Sequence, residues 1–264
     1  MFGFLSNDPL ISSLRSFGYN VVRLPRADIT PLQILTKKNN EFQRLGEVSA
    51  VFKSRGNVAI PDIHENIPAA NVSGQKSGDL SLGLGLSILG GIISALGGSP
   101  LALDTKYQKA KSVSFQYEGV LENNIGIVEL DQFLTDADIN PFSTYVSDLL
   151  KSDQVYITTS TIKSRKFTIY PKSAKGVDLG IQIPQIQGIV GSNIKVSSQG
   201  QDSSAITFEG SILLVFGFQA VQLFYDRGHY TRQEPVKADA VMRGTSRRRG
   251  AKLLSYGPFI ELSE

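Results

Sequence analysis

Alternating apolar and polar positions dominate the middle of the chain. In "KSVSFQYEGVL", Val113, Phe115 and Tyr117 alternate with Ser114, Gln116 and Glu118, the period of a strand buried on one face. The run "VYITTSTIKSRKFTIY" (155–170) is dense in Thr, Ile, Val and Tyr and predicts a second strand. "VDLGIQIPQI" alternates again through Val177, Leu179, Ile181 and Ile183, and the "PKSAKG" before it has the length and residue types of a hairpin turn. "AITFEGSILLVFGFQAVQLFYD" adds a further strand-like run. The opening third mixes types. "PLISSLRSF" places Leu10, Ile11 and Leu14 on a short helical face, "YNVVRLP" reads as a strand ended by Pro25, and "TPLQILTKKNNEFQRLGEVSAVF" reads as a helix pair starting at Pro31, with Leu32, Leu35, Phe42 and Leu45 facing inward.

One stretch follows neither period throughout. Between Asp79 and Asp104 no side chain carries a charge. "LSLGLGL" alternates like a strand, whereas Ile88, Ile92 and Leu96, with Leu89 and Ile93 beside them, repeat like a helix. The run is long enough to span a bilayer as a helix, but its glycines each lower helix stability by roughly 1 kcal/mol relative to Ala. Such a segment is weakly committed: helix or loop while buried, able to extend into a strand later. The plainer reading is a buried helix whose glycines let it approach a sheet closely. Gly83 and Gly85 begin a GxGxxG pattern, but its third position is Ile88, so a phosphate-binding loop is unsupported.

From Arg227 the chain turns polar and basic through "GHYTRQEPVKADAVMRGTSRRRGAK", which predicts a linker. It ends in "LLSYGPFIELSE", a short apolar segment that cannot fold alone and must dock on the body. The implied division is a body over 1–236, a protease-sensitive linker over 237–252 and a docking peptide over 253–264.

Composition narrows the function classes. The 264 residues are 41% hydrophobic and 19% charged, which suits a chain that folds in water. Zero Cys removes disulfides, thiolate metal sites and a Cys nucleophile, and makes a cytoplasmic home the default. "MFGFLSNDPL" lacks the basic and long apolar regions of a secretory signal. The net charge of +3 is scattered except at "SRRRGAK", with no basic stripe interleaved with aromatics, so no nucleic-acid partner is expected; anionic lipid suits a mild positive excess. His64 and His229 are isolated, no HExxH or GxSxG occurs, and Asp136 with Asp138 in "TDADINPF" reads as helix-start or turn chemistry. No enzyme and no cofactor is expected.

Several stretches together resemble the bacterial gasdermins: "SFGYNVVRLPRADITPLQIL" (16–35), "GLSILGGIISALGG" (85–98), "YQKAKSVSF" (107–115), "DADINPFS" (136–143), "TTSTIKSRKFT" (158–168) and "VFGFQAVQLFYD" (215–226). The resemblance runs from about residue 7 to 226. It implies an α+β fold, a twisted, mainly antiparallel central sheet with peripheral helices, closed by a short C-terminal inhibitory peptide. It implies a zymogen: a cytoplasmic monomer when intact, cut by a protease before that peptide. The freed body then binds inner-membrane lipids, forms a homo-oligomer and extends two hairpins per protomer into a large β-barrel pore, killing a phage-infected cell.

On this reading the first hairpin comes from about Asn71 to Leu121, its inserting residues Leu82, Leu84, Leu86, Ile88, Ile92, Val113, Phe115 and Tyr117. The second comes from about Val155 to Val196, with Ile157, Phe167, Ile169, Leu179, Ile181 and Ile183. A membrane strand needs only about 9–11 residues with alternating faces, and Lys109, Lys111, Lys163, Arg165 and Lys166 would look into a watery lumen or sit at headgroups. The inhibitory contacts are assigned to Leu253, Leu254, Tyr256, Phe259, Ile260 and Leu262. Local chemistry places the cut between Arg249 and Gly250, with Arg243, Arg247 and Arg248 as alternatives. One departure stands out: the family characteristically carries an acylated Cys near its start, and this chain has none. Phe2, Phe4 and Leu5 are the apolar residues available in its place. The competing reading is a soluble, non-enzymatic binding module whose C-terminal tail docks on a partner.

Overall fold

The computed structural model describes residues 9–38, 41–69, 80–173, 186–187, 193–198, 205–236 and 241–242. Two long strands, β10 (Val155–Lys172) and β12 (Ile206–Asp226), run antiparallel through the middle, as their β-branched and aromatic content predicts. Each carries three shorter strands along its outer edge. Beside β10 lie β2 (Gln33–Lys38), β8 (Leu121–Asn124) and β7 (Ser112–Glu118). Beside β12 lie β13 (His229–Pro235), β1 (Asn20–Arg26) and β11 (Lys195–Ser198). Outside these, β3 (Glu41–Glu47) pairs with β2, β5 (His64–Pro68) with β8, and β6 (Leu80–Ser81) with β7. The ladders are antiparallel except β14 (Val241–Met242), which runs parallel to β1. A separate pair joins β4 (Phe52–Ser54) to β9 (Ala137–Ile139).

The helices are α1 (Pro9–Ser16), α2 (Val48–Val51), α3 (Leu82–Ala95), α4 (Leu103–Lys106), α5 (Ile127–Asp136) and α6 (Thr144–Leu150). Pro9 opens α1, where its missing N–H costs nothing. Gly18 closes it with φ of 77°, and the Tyr19 N–H returns to the Leu14 carbonyl, so β1 begins at once. α3 ends the same way: Gly97 has φ of 88° and the Gly98 N–H donates to the Ile93 carbonyl.

Three cores result. The largest gathers α3, β7 and the upper parts of β10 and β12, including Ile88, Ile92, Phe115, Tyr117, Phe167, Phe208 and Phe216. A second packs α5 and α6 on the lower sheet around Ile34, Phe133, Leu134 and Ile157. A third lies around Leu35, Phe42, Tyr156 and Phe218.

The α+β class and the mainly antiparallel sheet agree with the sequence reading; four local expectations are corrected. The helix pair expected from Pro31 is the β2–β3 hairpin. Ile34 is buried in the second core and Leu35 in the third, so both faces of β2 are covered and the period-2 signature is lost. β1 runs past Pro25 to Arg26, with a register shift in its ladder to β12. The stretch from Arg227 read as linker contains β13, joined to β12 through a two-residue turn in which Arg227 (φ 49°) and Gly228 (φ 84°) are both left-handed. The alternating "LSLGLGL" is strand only at Leu80–Ser81 and helical from Leu82.

Candidate functional site

α3 lies against β1 and β7, and two glycines set how close it comes. A Cβ on Gly91 would fall 2.5 Å from Leu24 Cδ2 and 3.1 Å from its Cα, and one on Gly85 would fall 2.7 Å from Val113 Cβ. Only a residue without a side chain fits either place. Gly90, by contrast, has its nearest neighbours at 3.5 and 3.6 Å, an ordinary contact distance. Leu84, Ile88 and Ile92 are buried in the largest core, while Leu82 and Leu86 are partly buried against it. The close-approach reading of the glycines therefore describes this helix. No described helix is long and apolar enough to cross a membrane, which says nothing of strands.

β7 delivers the alternating residues to the same core. Val113, Phe115 and Tyr117 meet Phe167, Ile169 and Phe216 there; Tyr117 and Phe216 stack with centroids 3.8 Å apart and planes within 1°. Ile157 does not join them. It is buried in the second core, level with Ile34 of β2 and Val221 of β12. Leu179, Ile181 and Ile183 lie outside the described residues, as do Arg243, Arg247, Arg248, Arg249, Gly250 and the tail residues Leu253, Leu254, Tyr256, Phe259, Ile260 and Leu262. Of "PKSAKG", Pro171 and Lys172 continue β10 opposite Val113 and Ser112 of β7.

Sequence reasoning missed the polar contacts that tie β7 to its neighbours. Glu118 pairs with Lys166 and accepts a hydrogen bond from Thr168 Oγ1 at 3.1 Å; Thr168 in turn meets Thr207 of β12 at 2.8 Å, both hydroxyls buried. Ser164 Oγ donates to the Glu118 carbonyl. Lower down, Tyr19 and Ser160 both donate to Glu122 Oε1, at 2.9 and 2.7 Å, joining the start of β1, β8 and β10. Burial, above all, pushes the Tyr19 phenol up, so it remains a donor across the physiological range. The signal available in the sequence was the alternation itself, which marks Glu118 as the polar-face residue ending β7.

The acidic pair read as helix-start chemistry sits at the opposite end of its helix. Asp136 is the last residue of α5 and accepts from Ser54 Oγ at 2.5 Å and the Gly56 N–H at 3.0 Å, while Arg55 reaches Asp138 at 3.5 Å. The Ser54 hydroxyl first, then the Gly56 N–H, hold the Asp136 carboxyl below its ordinary 3.8. Its folded pKa is lowered, so the stabilisation is present above pH 3.8 and fades as pH falls through the depressed value. Ser54→Ala is expected to move the Asp136 titration back toward its ordinary position, read by carboxyl carbon NMR.

A family model described as the Bacterial Gasdermin Family matches residues 22–229. The chain is 50% identical to a gasdermin of a Desulfuromonadales bacterium, covering 97% of this chain and 98% of that one. It is 41% identical to a gasdermin of Lysobacter enzymogenes, over 92% and 90% of the two chains. Among solved structures, a bacterial gasdermin from Bradyrhizobium tropiciagri aligns with a TM-score of 0.57 at 15% identity, over 85% of this chain and 90% of that one, a likeness of fold.

Proposed function

The chain belongs to the bacterial gasdermin family, and from that membership we propose that it is an autoinhibited pore former released by proteolysis. A protease cuts in the 237–252 segment, with the Arg249–Gly250 bond as the first choice and Arg243, Arg247 and Arg248 as alternatives. The peptide carrying Leu253, Leu254, Tyr256, Phe259, Ile260 and Leu262 then leaves, because cutting removes the tether that kept its local concentration high. The body passes from the cytoplasm to the inner membrane, assembles with other copies and inserts a β-barrel, which ends the infected cell.

The observation that carries this reading is the short β6–β7 ladder beneath α3. Leu80 and Ser81 already pair with Val113 and Ser112, so the first rungs of a hairpin exist before the adjoining chain extends. Unwinding α3 from Leu82 onward lengthens a strand that is already started, and the uncharged run it releases suits hydrocarbon. A lone protomer cannot close such a sheet, so the inserted form is an oligomer.

The test is dye release from vesicles of bacterial lipid, comparing intact protein with protein cut at an engineered site placed within 247–250. Leakage only after cutting, with rings visible by negative-stain microscopy, is the expected result. A cut protein that stays inert toward lipid would instead favour the binding-module reading. The tail is tested separately: Phe259→Asp is expected to loosen docking and give slow leakage without any cut, since a buried Phe contributes roughly 1.5–3 kcal/mol.

A further inference from the structure

Toward the β6 end of the sheet the strands run in the order β6, β7, β10, β12, β11. Residues 206–209 of β12 are paired on both edges. Lys166, Phe167, Thr168 and Ile169 of β10 stand opposite Glu209, Phe208, Thr207 and Ile206 on one side. Lys195, Val196, Ser197 and Ser198 of β11 stand opposite the same four residues on the other. β11 is thus an edge strand of four residues, and Val196 is its partly buried apolar contact with the largest core.

The β10–β12 register says where β11 goes when the sheet lengthens. Carried past Ile169 and Ile206 one residue at a time, it sets Leu179 opposite Val196 and Ile181 opposite Ile194. It also sets Asp178 opposite Ser197, Gly180 opposite Lys195 and Gln182 opposite Asn193. Directly opposed residues share a face, so apolar meets apolar and polar meets polar along both arms. A slip of one residue either way puts Leu179 against Lys195 or Ser197 and destroys the match. The apolar face is the one that already holds Phe167 and Ile169 in the core. The bend falls at Gln187–Gly188, where a glycine suits a two-residue hairpin turn, and not within "PKSAKG". At rest Ile186 and Gln187 form a helical turn with Ile186 buried, so this end must also let go.

We propose that β11 is a removable edge cover for β12, and that the edge it vacates is the docking surface for a second copy of this chain. The inference rests on the pore reading and assigns its assembly step. In the extended hairpin, residues 195–198 lie in line with β12 and pair with the arm leaving β10, so they cannot also lie beside Glu209 and Phe208. The vacated edge has unpaired N–H and C=O groups that a membrane does not tolerate. β6 bounds the opposite side of the sheet. It runs antiparallel to β7, which is antiparallel to β10, which is antiparallel to β12. The lengthened β6 strand of the next copy therefore meets β12 antiparallel, a head-to-tail contact of the kind that closes into rings. β11 keeps the resting monomer from offering that edge.

The absence of native Cys makes the test direct. Lys195→Cys with Glu209→Cys places two thiols directly opposite on adjacent strands, a separation compatible with a disulfide, at positions that are not buried. In the full chain bearing the engineered cut site, the oxidised pair is expected to lose dye release and detergent-resistant oligomer after cutting, and reduction to restore both. A control pair, Gln222→Cys with Glu234→Cys across β12 and β13, is expected to leak normally when oxidised. In vesicle-bound protein, Leu179→Cys is expected to cross-link to Val196→Cys and not to Lys195→Cys. Leakage from the oxidised 195–209 pair at the parental rate overturns the proposal, as does cross-linking of residue 179 to 195. A reduced parent that stays silent after cutting fails the pore reading itself, before any cross-link is closed.

Discussion

Phe216→Ala is expected to remove about 3–5 kcal/mol of stability, the usual loss for deleting a fully enclosed aromatic ring. Phe216 is 1% exposed on β12 and stacks face to face on Tyr117 of β7, whose other ring neighbours are Phe115 and Phe167. The ring spans from one central strand, past β10, to the strand expected to move. Its deletion leaves a hole that the surrounding phenyl groups cannot fill without leaving their own contacts. Against a total of about 5–15 kcal/mol for an ordinary domain, such a loss is a large fraction. Urea unfolding reads it as a lower midpoint at unchanged slope. Phe216→Leu retains part of the volume and is expected to lose clearly less. Wild-type stability in the alanine variant would mean that the Tyr117 stack adds nothing to the resting sheet.

Gly91→Val carries the second large effect, and its neighbour supplies the opposite sign. A branched side chain at 91 meets the backbone of Leu24, which cannot swing aside as a side-chain tip could. Overpacking of this kind costs about 1–3 kcal/mol, on top of the lower helix propensity of Val relative to Ala. α3 is then pushed from β1, and uncut protein is expected to leak slowly. Gly90→Ala meets only ordinary contacts and gains about 1 kcal/mol of helix propensity, so the melting temperature is expected to rise by about 2–4 °C. Because that gain belongs to the helical form alone, leakage after cutting should become slower. Thermal melts and dye-release rates on both variants decide the matter. Equal shifts in the same direction would mean that the seat on Leu24 does not hold the helix.

The strands that read clearly from sequence were those with one buried face or a dense β-forming composition. β7 shows its alternation because only Val113, Phe115 and Tyr117 enter the large core, and β10 and β12 are too rich in Thr, Val, Ile and Phe to suit anything but the centre of a sheet. The β2–β3 hairpin was hidden by its position between two cores, which buries neighbouring residues alike and imitates a helical face. β13 was hidden for the opposite reason: as a largely exposed strand it carries His, Thr, Arg, Gln and Glu, the residues that also make a linker. The undecided run at 80–96 was legible in its ambiguity, though only the tertiary contacts at Gly85 and Gly91 choose the helix. Glu118, Thr168 and Thr207 could not be grouped from sequence, because three strands distant along the chain bring them together.

The three cores do not share the moving parts. Every buried residue of α3 and every apolar residue of β7 belongs to the largest core, while Ile34, Phe133 and Leu134 anchor another and Phe42 and Phe218 a third. Robustness and responsiveness can therefore be adjusted separately in this molecule. Better packing around Phe133 hardens the protein against heat in a region that activation leaves intact, whereas the same gain around Ile88 or Phe115 must be given back before the sheet can lengthen. Sequence drift in the lower sheet is buffered, and drift beneath α3 resets the threshold at which the protein fires.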